Sequence, residues 1–511
     1  MPSLTHLRTI LCLPLAGVVM VALASPSSSE QQASASFQVT PDDHYIGGQA
    51  LTFSGNIGAA GQRTVRLQSH MGRPGDTWVP LEGISSTTQS DGSFDFVFRA
   101  PGMKGISYRV VSGGLTTNAI RFEALQQDLV LAPRTTPVAG APFVIEVDTT
   151  PELARRPDVQ GLQPIPGRTL TLQRRIDGDE WEQMGQSSVN AQGNGSFTVT
   201  ETDPGTVVYR VRQEDWTANG NQIGWFPSFP TYVEVTQDGQ APADSTDRIA
   251  RETCVGFPTG DQAGPTASGT NLWGPSLFDF AWVAGESLTS KPYRGTRKRG
   301  QWVDYTDGSG RVNKNNGGLM LDSKRDNVCG DGDFGTTRAT LQGNAQTYGR
   351  WETRLRLKSD ENNDRDYLTV VELVPERAAD YACGARNITL AAMTPHGNSF
   401  SFGAKAGKTQ WKGTKSGVSI NNTPQNFAVE VTQKHVTWFF QGKPVGTVKS
   451  RAASSDVPMT LRLSMEGGPD EQEMNHTELI SDWQRSWTLK RGAKVTNGKS
   501  LTKSSFSAPN C

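Results

Sequence analysis

Apolar and polar residues alternate along much of this 511-residue chain, and Gly, Asp or Pro breaks the alternation about every ten residues. Thr64-Val65-Arg66-Leu67 and Phe94-Asp95-Phe96-Val97-Phe98 show the pattern early. It is clearest in Trp351-Glu352-Thr353-Arg354-Leu355-Arg356-Leu357-Lys358. There Trp351, Thr353, Leu355 and Leu357 share one face of a predicted strand, and the four charged residues share the other. A hairpin is predicted from Phe427, Val429 and Val431 through Val436, Trp438 and Phe440 to a turn at Gly442. No stretch offers the helical period of about 3.6 residues, so the predicted fold class is all-β.

Part of the pattern recurs. Leu67-Gln68, Trp78, Asp91-Gly92-Ser93-Phe94 and Tyr108-Arg109-Val110 return as Leu172-Gln173, Trp181, Asn194-Gly195-Ser196-Phe197 and Tyr209-Arg210-Val211. Offsets from 101 (Tyr108 to Tyr209) to 105 (Leu67 to Leu172) mark a duplicated module. The two copies, at 37–125 and 126–236, resemble the immunoglobulin-like β-sandwiches of exported bacterial proteins, without the inter-sheet disulfide of antibodies. They are expected to serve as spacers, with Trp78 and Trp181 as packing residues. A Ser-, Ala- and Gln-rich stretch at 25–36 reads as a flexible spacer and 237–253 as a linker. The larger unit that follows spans 254–511.

Charge changes this picture little. A formal net charge of −1 gives no global reason to expect nucleic-acid or membrane binding. Local basic runs at 291–299 and after Leu489 are expected to be a solvated loop and an unstructured tail. Residues 1–24 read as a signal peptide, with an apolar run from Ile10 to Ala24 and small residues at Ala22 and Ala24. The expected location is therefore secreted or cell-surface, with no membrane span after cleavage. Export leaves Cys254, Cys329, Cys383 and Cys511, and four cysteines allow three pairings. Cys254–Cys511 would join the ends of the last unit, and Cys329–Cys383 would staple two of its strands.

The last unit carries a set of weak signals in a fixed order. Tyr348-Gly349-Arg350-Trp351-Glu352-Thr353-Arg354 is followed by Leu373-Val374-Pro375-Glu376, by the hairpin from Phe427 to Gly442, and by Asp482-Trp483. Together they resemble glycoside hydrolase family 16. The resemblance implies a concanavalin A-like jelly roll of two stacked sheets, acting on polysaccharide or cell-wall glycan. Cofactors are not expected, apart from a structural calcium at Asp482, and the protein is expected to be monomeric.

In that family a catalytic strand carries three acids at alternate positions, Glu-Ile-Asp-Ile-x-Glu. The first is the nucleophile and the last the general acid. Retaining enzymes hold the two carboxyl groups about 5–5.5 Å apart. On this chain the strand reads Asn387-Ile388-Thr389-Leu390-Ala391-Ala392. Asn387 stands for the nucleophile, Thr389 for the central acid, and Ala391 or Ala392 for the proton donor, depending on whether the family's bulge is present. The expectation is therefore a catalytically silent, sugar-binding relative. Its candidate groove residues are Trp302, Tyr367 and Trp411 as stacking rings, His396 as a polar rim, and Glu372. An active hydrolase with carboxylates relocated to Glu372, Glu376, Asp380 or Glu466 is the competing expectation; a structural or adhesive surface protein is the third.

Overall fold

The computed structural model describes residues 34–40, 45–46, 50–70, 77–99, 106–122, 124–125, 129–150, 164–176, 180–218, 221–239, 265–280, 282, 288, 300–315, 318–323, 333–359, 364–377, 380, 386–468 and 473–506. All five cysteines, the signal peptide, residues 240–253 of the linker and the basic run at 291–299 lie outside these residues.

The two repeats fold alike. In the first, Ser36–Thr40, Ala50–Asn56 and Ser93–Arg99 form one sheet, and Val79–Thr87, Thr64–His70 and Ile106–Ser112 are neighbours in another. Phe53, Phe94 and Phe98 from one sheet meet Val65, Leu67, Tyr108 and Val110 from the other in one core. The second repeats the arrangement. Val130–Pro133, Pro142–Asp148 and Asn194–Thr200 face Trp181–Ser188, Thr169–Arg175 and Gly205–Gln213 over a core containing Phe197, Leu172 and Tyr209.

The duplicated tryptophans do not join these cores. Arg109 Nε donates to Gln68 Oε1 at 2.8 Å, and its guanidinium lies 4.2 Å from the Trp78 ring. Arg210 does the same in the second copy, 2.8 Å from Gln173 Oε1 and 4.3 Å over Trp181. Each Trp thus pairs with a cation on the outer face of its sheet, an interaction the duplication kept.

The last unit is a two-sheet sandwich of antiparallel strands. They are β1 Phe278–Phe280, β2 Gln301–Thr306, β3 Arg311–Asn315, β4 Gly318–Asp322, β5 Thr336–Gln342, β6 Gly349–Lys358, β7 Leu368–Pro375 and β8 Arg386–Met393. After these come β9 Ser399–Ala406, β10 Thr409–Ser416, β11 Gln425–Val431, β12 Val436–Phe440, β13 Lys443–Val448, β14 Met459–Glu466, β15 Glu478–Trp487 and β16 Thr502–Ser505. Sheet A runs β3-β4-β15-β6-β11-β12-β13, with β1 also paired to β15; sheet B runs β2-β5-β14-β7-β8-β9-β10-β16. Side chains alternate along each strand, so one residue in two points between the sheets. Leu355, Leu357, Val429 and Trp438 from sheet A meet Leu373, Ile388, Phe402 and Leu463 from sheet B. Helix is confined to single turns at Ala267–Thr270 and Arg451–Ser454 among the described residues. The all-β jelly-roll expectation holds.

The charged face of β6 is buried, because chain from both ends of the unit covers it. Arg350 Nε lies 2.6 Å from Glu430 Oε2, both side chains are fully buried, and the other guanidinium nitrogens donate to carbonyls of Arg491, Gly492 and Ala493. Glu352 accepts the N–H groups of Ala267 and Ser268, at 2.5 and 3.1 Å, on the first turn of the short helix. The expectation of an unstructured tail fails, because the basic tail is built into the fold. Thr502–Ser505 adds an edge strand to sheet B, and Thr447 donates to the Lys499 carbonyl at 2.8 Å.

The second repeat docks on the last unit rather than holding it at a distance. Arg210 Nη1 is 2.6 Å from Asp304 Oδ2, with side chains only 6% and 8% exposed. Arg175 donates to the carbonyls of Asp307 and Gly308, and Arg311 sits 3.5 Å from the Phe229 ring. Trp225 belongs to the same buried cluster as the sandwich core. Gly308 is needed at this contact, since a Cβ there would stand 1.8 Å from the Phe334 carbonyl oxygen.

Candidate functional site

Strand β8 lies near the middle of sheet B, between β7 and β9. Its sequence alternates until Leu390, where one residue is inserted. Glu372 pairs with Thr389 and Val371 with Ala391, so the register shifts on the β7 side; on the β9 side, Thr389 pairs with Gly403 and Ala392 with Ser401. This is a β-bulge. Ile388, Leu390, Ala391 and Met393 all enter the core. Asn387, Thr389 and Ala392 therefore share the outward face. The bulge separates the two alanines: Ala392 shares the outward face, and Ala391 is a core residue. Trp438 on β12 reaches across the sandwich, and its indole N–H donates to the Thr389 carbonyl at 2.8 Å. That bond satisfies a backbone oxygen at the edge of the bulge.

Glu372 stands on the same face, one strand away, and is only 3% exposed. Asn387 Nδ2 donates to its Oε2 at 2.6 Å. Arg462 on β14 donates to Oε1 through Nε at 3.0 Å and also through Nη2. The carboxylate is thus engaged by an amide and a guanidinium whose backbones flank it across the sheet. Of the sequence candidates, Glu372, Asn387, Thr389 and Ala392 come together here.

The three proposed stacking rings do not. Trp302 and Tyr367 are 1% exposed and Trp411 is 6% exposed, all within the sandwich core. Their strand positions point inward: Trp302 pairs with Leu341 and Trp411 with Ala404, both core residues. His396 lies on the turn between β8 and β9, with Nδ1 2.9 Å from Asp366 Oδ1 and its backbone N–H on Asp366 Oδ2. It ties that turn to the segment before β7. Asp482, where calcium was expected, is fully buried as the extra residue of a bulge in β15, with Oδ2 3.4 Å from Arg354 Nε. A guanidinium already supplies the positive charge that a calcium ion would bring, so the arrangement does not fit that ion.

The other carboxylates offered as substitutes are also placed. Glu376 accepts the Gly343 N–H at 2.7 Å, and Asp380 pairs with Arg377. Glu466 lies four residues beyond Arg462 on β14, and Arg462 is directly opposite Glu372.

Sequence reasoning missed the cations of this face. Reading across the register, one row runs Thr340, Arg462, Glu372, Thr389, Gly403, Lys412, and the next Arg338, Ser464, Val370, Ala392, Ser401, Thr414. Lys405 sits opposite Asn387, its Nζ 4.2 Å from the ring of Phe506, and Arg338 lies 4.8 Å over Tyr305. Alternation with core residues in Leu461-Arg462-Leu463-Ser464 was the available signal for Arg462. The face offers hydroxyls, an amide and cations, with one neutralised carboxylate at its centre.

No known protein family matches the chain, and no curated protein is similar to it. Among solved structures, a laminarinase from Flavobacterium sp. UMI-01 is 13% identical with a TM-score of 0.32, over 42% of this chain and 100% of its own. A GlcNAcα1-4Gal-releasing endo-β-galactosidase from Clostridium perfringens is 12% identical with a TM-score of 0.31, over 42% of this chain and 63% of its own. A non-specific endo-β-1,3(4)-glucanase from family GH16 is 14% identical with a TM-score of 0.28, over 35% and 75%. The fold rests on strand order and register, not on these scores.

Proposed function

We propose that the outward face of sheet B binds polysaccharide without cleaving it, in a secreted or cell-surface protein. One observation carries this reading. Asn387, Thr389 and Ala392 share the face where three acids would stand in the resembling hydrolases, and the carboxylate beside them, Glu372, is held by Asn387 and Arg462. Hydrolysis needs a proton donor as well as a nucleophile or base. Alanine cannot donate a proton, and both oxygens of Glu372 are engaged by Asn387 and Arg462. What remains suits recognition. Thr389, Ser401 and Thr414 offer hydrogen bonds to sugar hydroxyls, and Lys405 and Lys412 favour glycans that carry acidic groups.

The test uses the full-length protein against neutral β-glucans and uronic-acid polysaccharides, with retardation in affinity gels and release of reducing ends measured on the same samples. The expected result is retardation, stronger on acidic polymers and weakened by Lys405→Ala together with Lys412→Ala, with no reducing ends. Reducing ends that vanish in Glu372→Gln would establish the hydrolase instead. Absence of retardation on every polymer would leave the structural or adhesive reading.

A further inference from the structure

At the far end of sheet A, three potential metal ligands meet where β4 ends and β15 begins. Asp322 and Glu478 are direct cross-strand partners, and His476 lies two residues before Glu478. His476 Nε2 is 3.0 Å from Asp322 Oδ1. One ligand atom from each of the three lies within 4.8 Å of the others. The carboxylates are buried, Asp322 at 4% and Glu478 at 7% exposure, while the His476 side chain keeps 17%. A separate observation points to something between them: Glu478 Oε2 is buried and has no hydrogen-bond partner. An ionised oxygen in that state is destabilised by its lost hydration unless a proton or a cation reaches it.

We infer that Asp322, His476 and Glu478 form a binding site for a divalent transition-metal ion of the zinc type. Donors bound at about 2.0–2.2 Å around a tetrahedral ion lie roughly 3.3–3.6 Å from one another. The cluster needs only a small contraction from its present spread to reach that geometry. One imidazole with two carboxylates suits zinc, cobalt or manganese better than calcium or magnesium, which prefer oxygen ligands alone. Three protein ligands leave one position for water. The ion would pin the end of β4 to the start of β15, and with it the segment that enters β15 through Asn475 and Thr477.

Protons are the alternative to a metal here. Burial and the neighbouring Asp322 push the Glu478 carboxyl up to about 7. Burial works against charge on His476, yet Asp322, with Asp333 and Glu478 behind it, holds the imidazole up to about 9. Lys358 and Arg356 also face Glu478 and oppose its rise. An imidazolium could therefore do part of a metal's work, and the experiment must tell the two apart.

The full chain is stripped with EDTA, dialysed, and titrated with Zn2+, with Ca2+ and Mg2+ in parallel. Bound metal is measured by elemental analysis and stability by thermal unfolding. The expected result is one zinc per chain and an unfolding midpoint that rises with Zn2+ but not with Ca2+ or Mg2+. Glu478→Gln should weaken zinc binding tenfold or more, while Glu473→Gln, an exposed pair partner of Arg365, leaves it unchanged. No retained zinc and no shift in the wild-type midpoint would overturn the site and leave the proton network. Equal retention by Glu478→Gln would overturn it too, by placing the ion elsewhere. Should Glu478→Gln fail to fold, Co2+ decides on the wild-type chain. Visible bands of a four-coordinate nitrogen–oxygen site support the assignment, and a thiolate charge-transfer band would move the ion to cysteine.

Discussion

Replacing Arg462 by Met tests whether Glu372 is a locked structural carboxylate or a poised catalytic one. The substitution removes both guanidinium contacts from a side chain that is 3% exposed and leaves it only the Asn387 amide at 2.6 Å. Breaking a buried ion pair by removing one partner costs about 3–5 kcal/mol, because the remaining charge stays desolvated. Arg462 itself keeps 18% of its side chain in solvent. Water can reach part of the vacated space, so the expected loss is at the lower end, about 3 kcal/mol. For a unit of this size that corresponds to a fall of roughly 6–12 °C in the unfolding midpoint of the last sandwich. The double substitution Glu372→Leu with Arg462→Met removes both charges and should return most of the loss, since an apolar pair of similar volume is often neutral. Calorimetry on the full chain, following the transition of the last sandwich, reads all four corners of this cycle. A single Arg462→Met loss below about 1 kcal/mol, or a double variant as unstable as the sum of the singles, would refute the locked-carboxylate account. Reducing-end release from glycans should stay at background throughout, because freeing Glu372 does not supply a second acid.

Three further outcomes follow from other contacts. Arg210→Met leaves Asp304 buried at the contact between the second repeat and the last sandwich; it should cost about 3 kcal/mol and separate their calorimetric transitions. Trp438→Phe deletes the N–H that satisfies the Thr389 carbonyl, and should lower denaturant stability by about 1–3 kcal/mol without moving β8 in a crystal structure. Burial raises the Glu430 carboxyl, but hydrogen bonds from His435, the Val495 N–H and Arg350 outweigh it and leave the group below its ordinary value of 4.5. A depressed carboxyl stabilises the fold fully above that value, and the contribution is lost as pH falls through the folded-state value. Glu430→Gln should therefore flatten the acid limb of the stability–pH curve below about pH 4.5, as read by urea unfolding at a series of pH values.

The strands were legible because their period of two is local. Which face is buried was less so. On β6 the alternation of Leu and Arg reads as core against solvent, yet Arg350 is fully buried through contacts with Glu430 and with carbonyls more than 140 residues away in sequence. A charged face is covered when each charge has a partner, and those partners come from distant chain. The same distance hid Arg462, which lies 90 residues from Glu372. Rings were misplaced for a related reason. Trp411 stands between polar neighbours, in Gln410-Trp411-Lys412, so composition suggests exposure. In an alternating strand those polar neighbours mark the opposite face, and the ring between them is the core residue. The duplicated Trp, Arg and Gln were visible as a repeat, but that they form one stacked unit required the register of paired strands.

The bulge lets the outward face vary while the sandwich stays whole. Residues of β8 divide between two independent demands. Ile388, Leu390, Ala391 and Met393 fill the core, where each lost methylene would cost about 1 kcal/mol. Asn387, Thr389 and Ala392 fill none of it, so their identity is set by what the face contacts. Catalytic carboxylates held close together repel one another and tend to destabilise the fold that carries them. Amide, hydroxyl and methyl groups beside Glu372 add no such repulsion, and Arg462 faces a single carboxylate. The outward face is consequently free to hold a basic, hydroxyl-rich surface on the same backbone, with Ala392 brought onto it by the inserted Leu390.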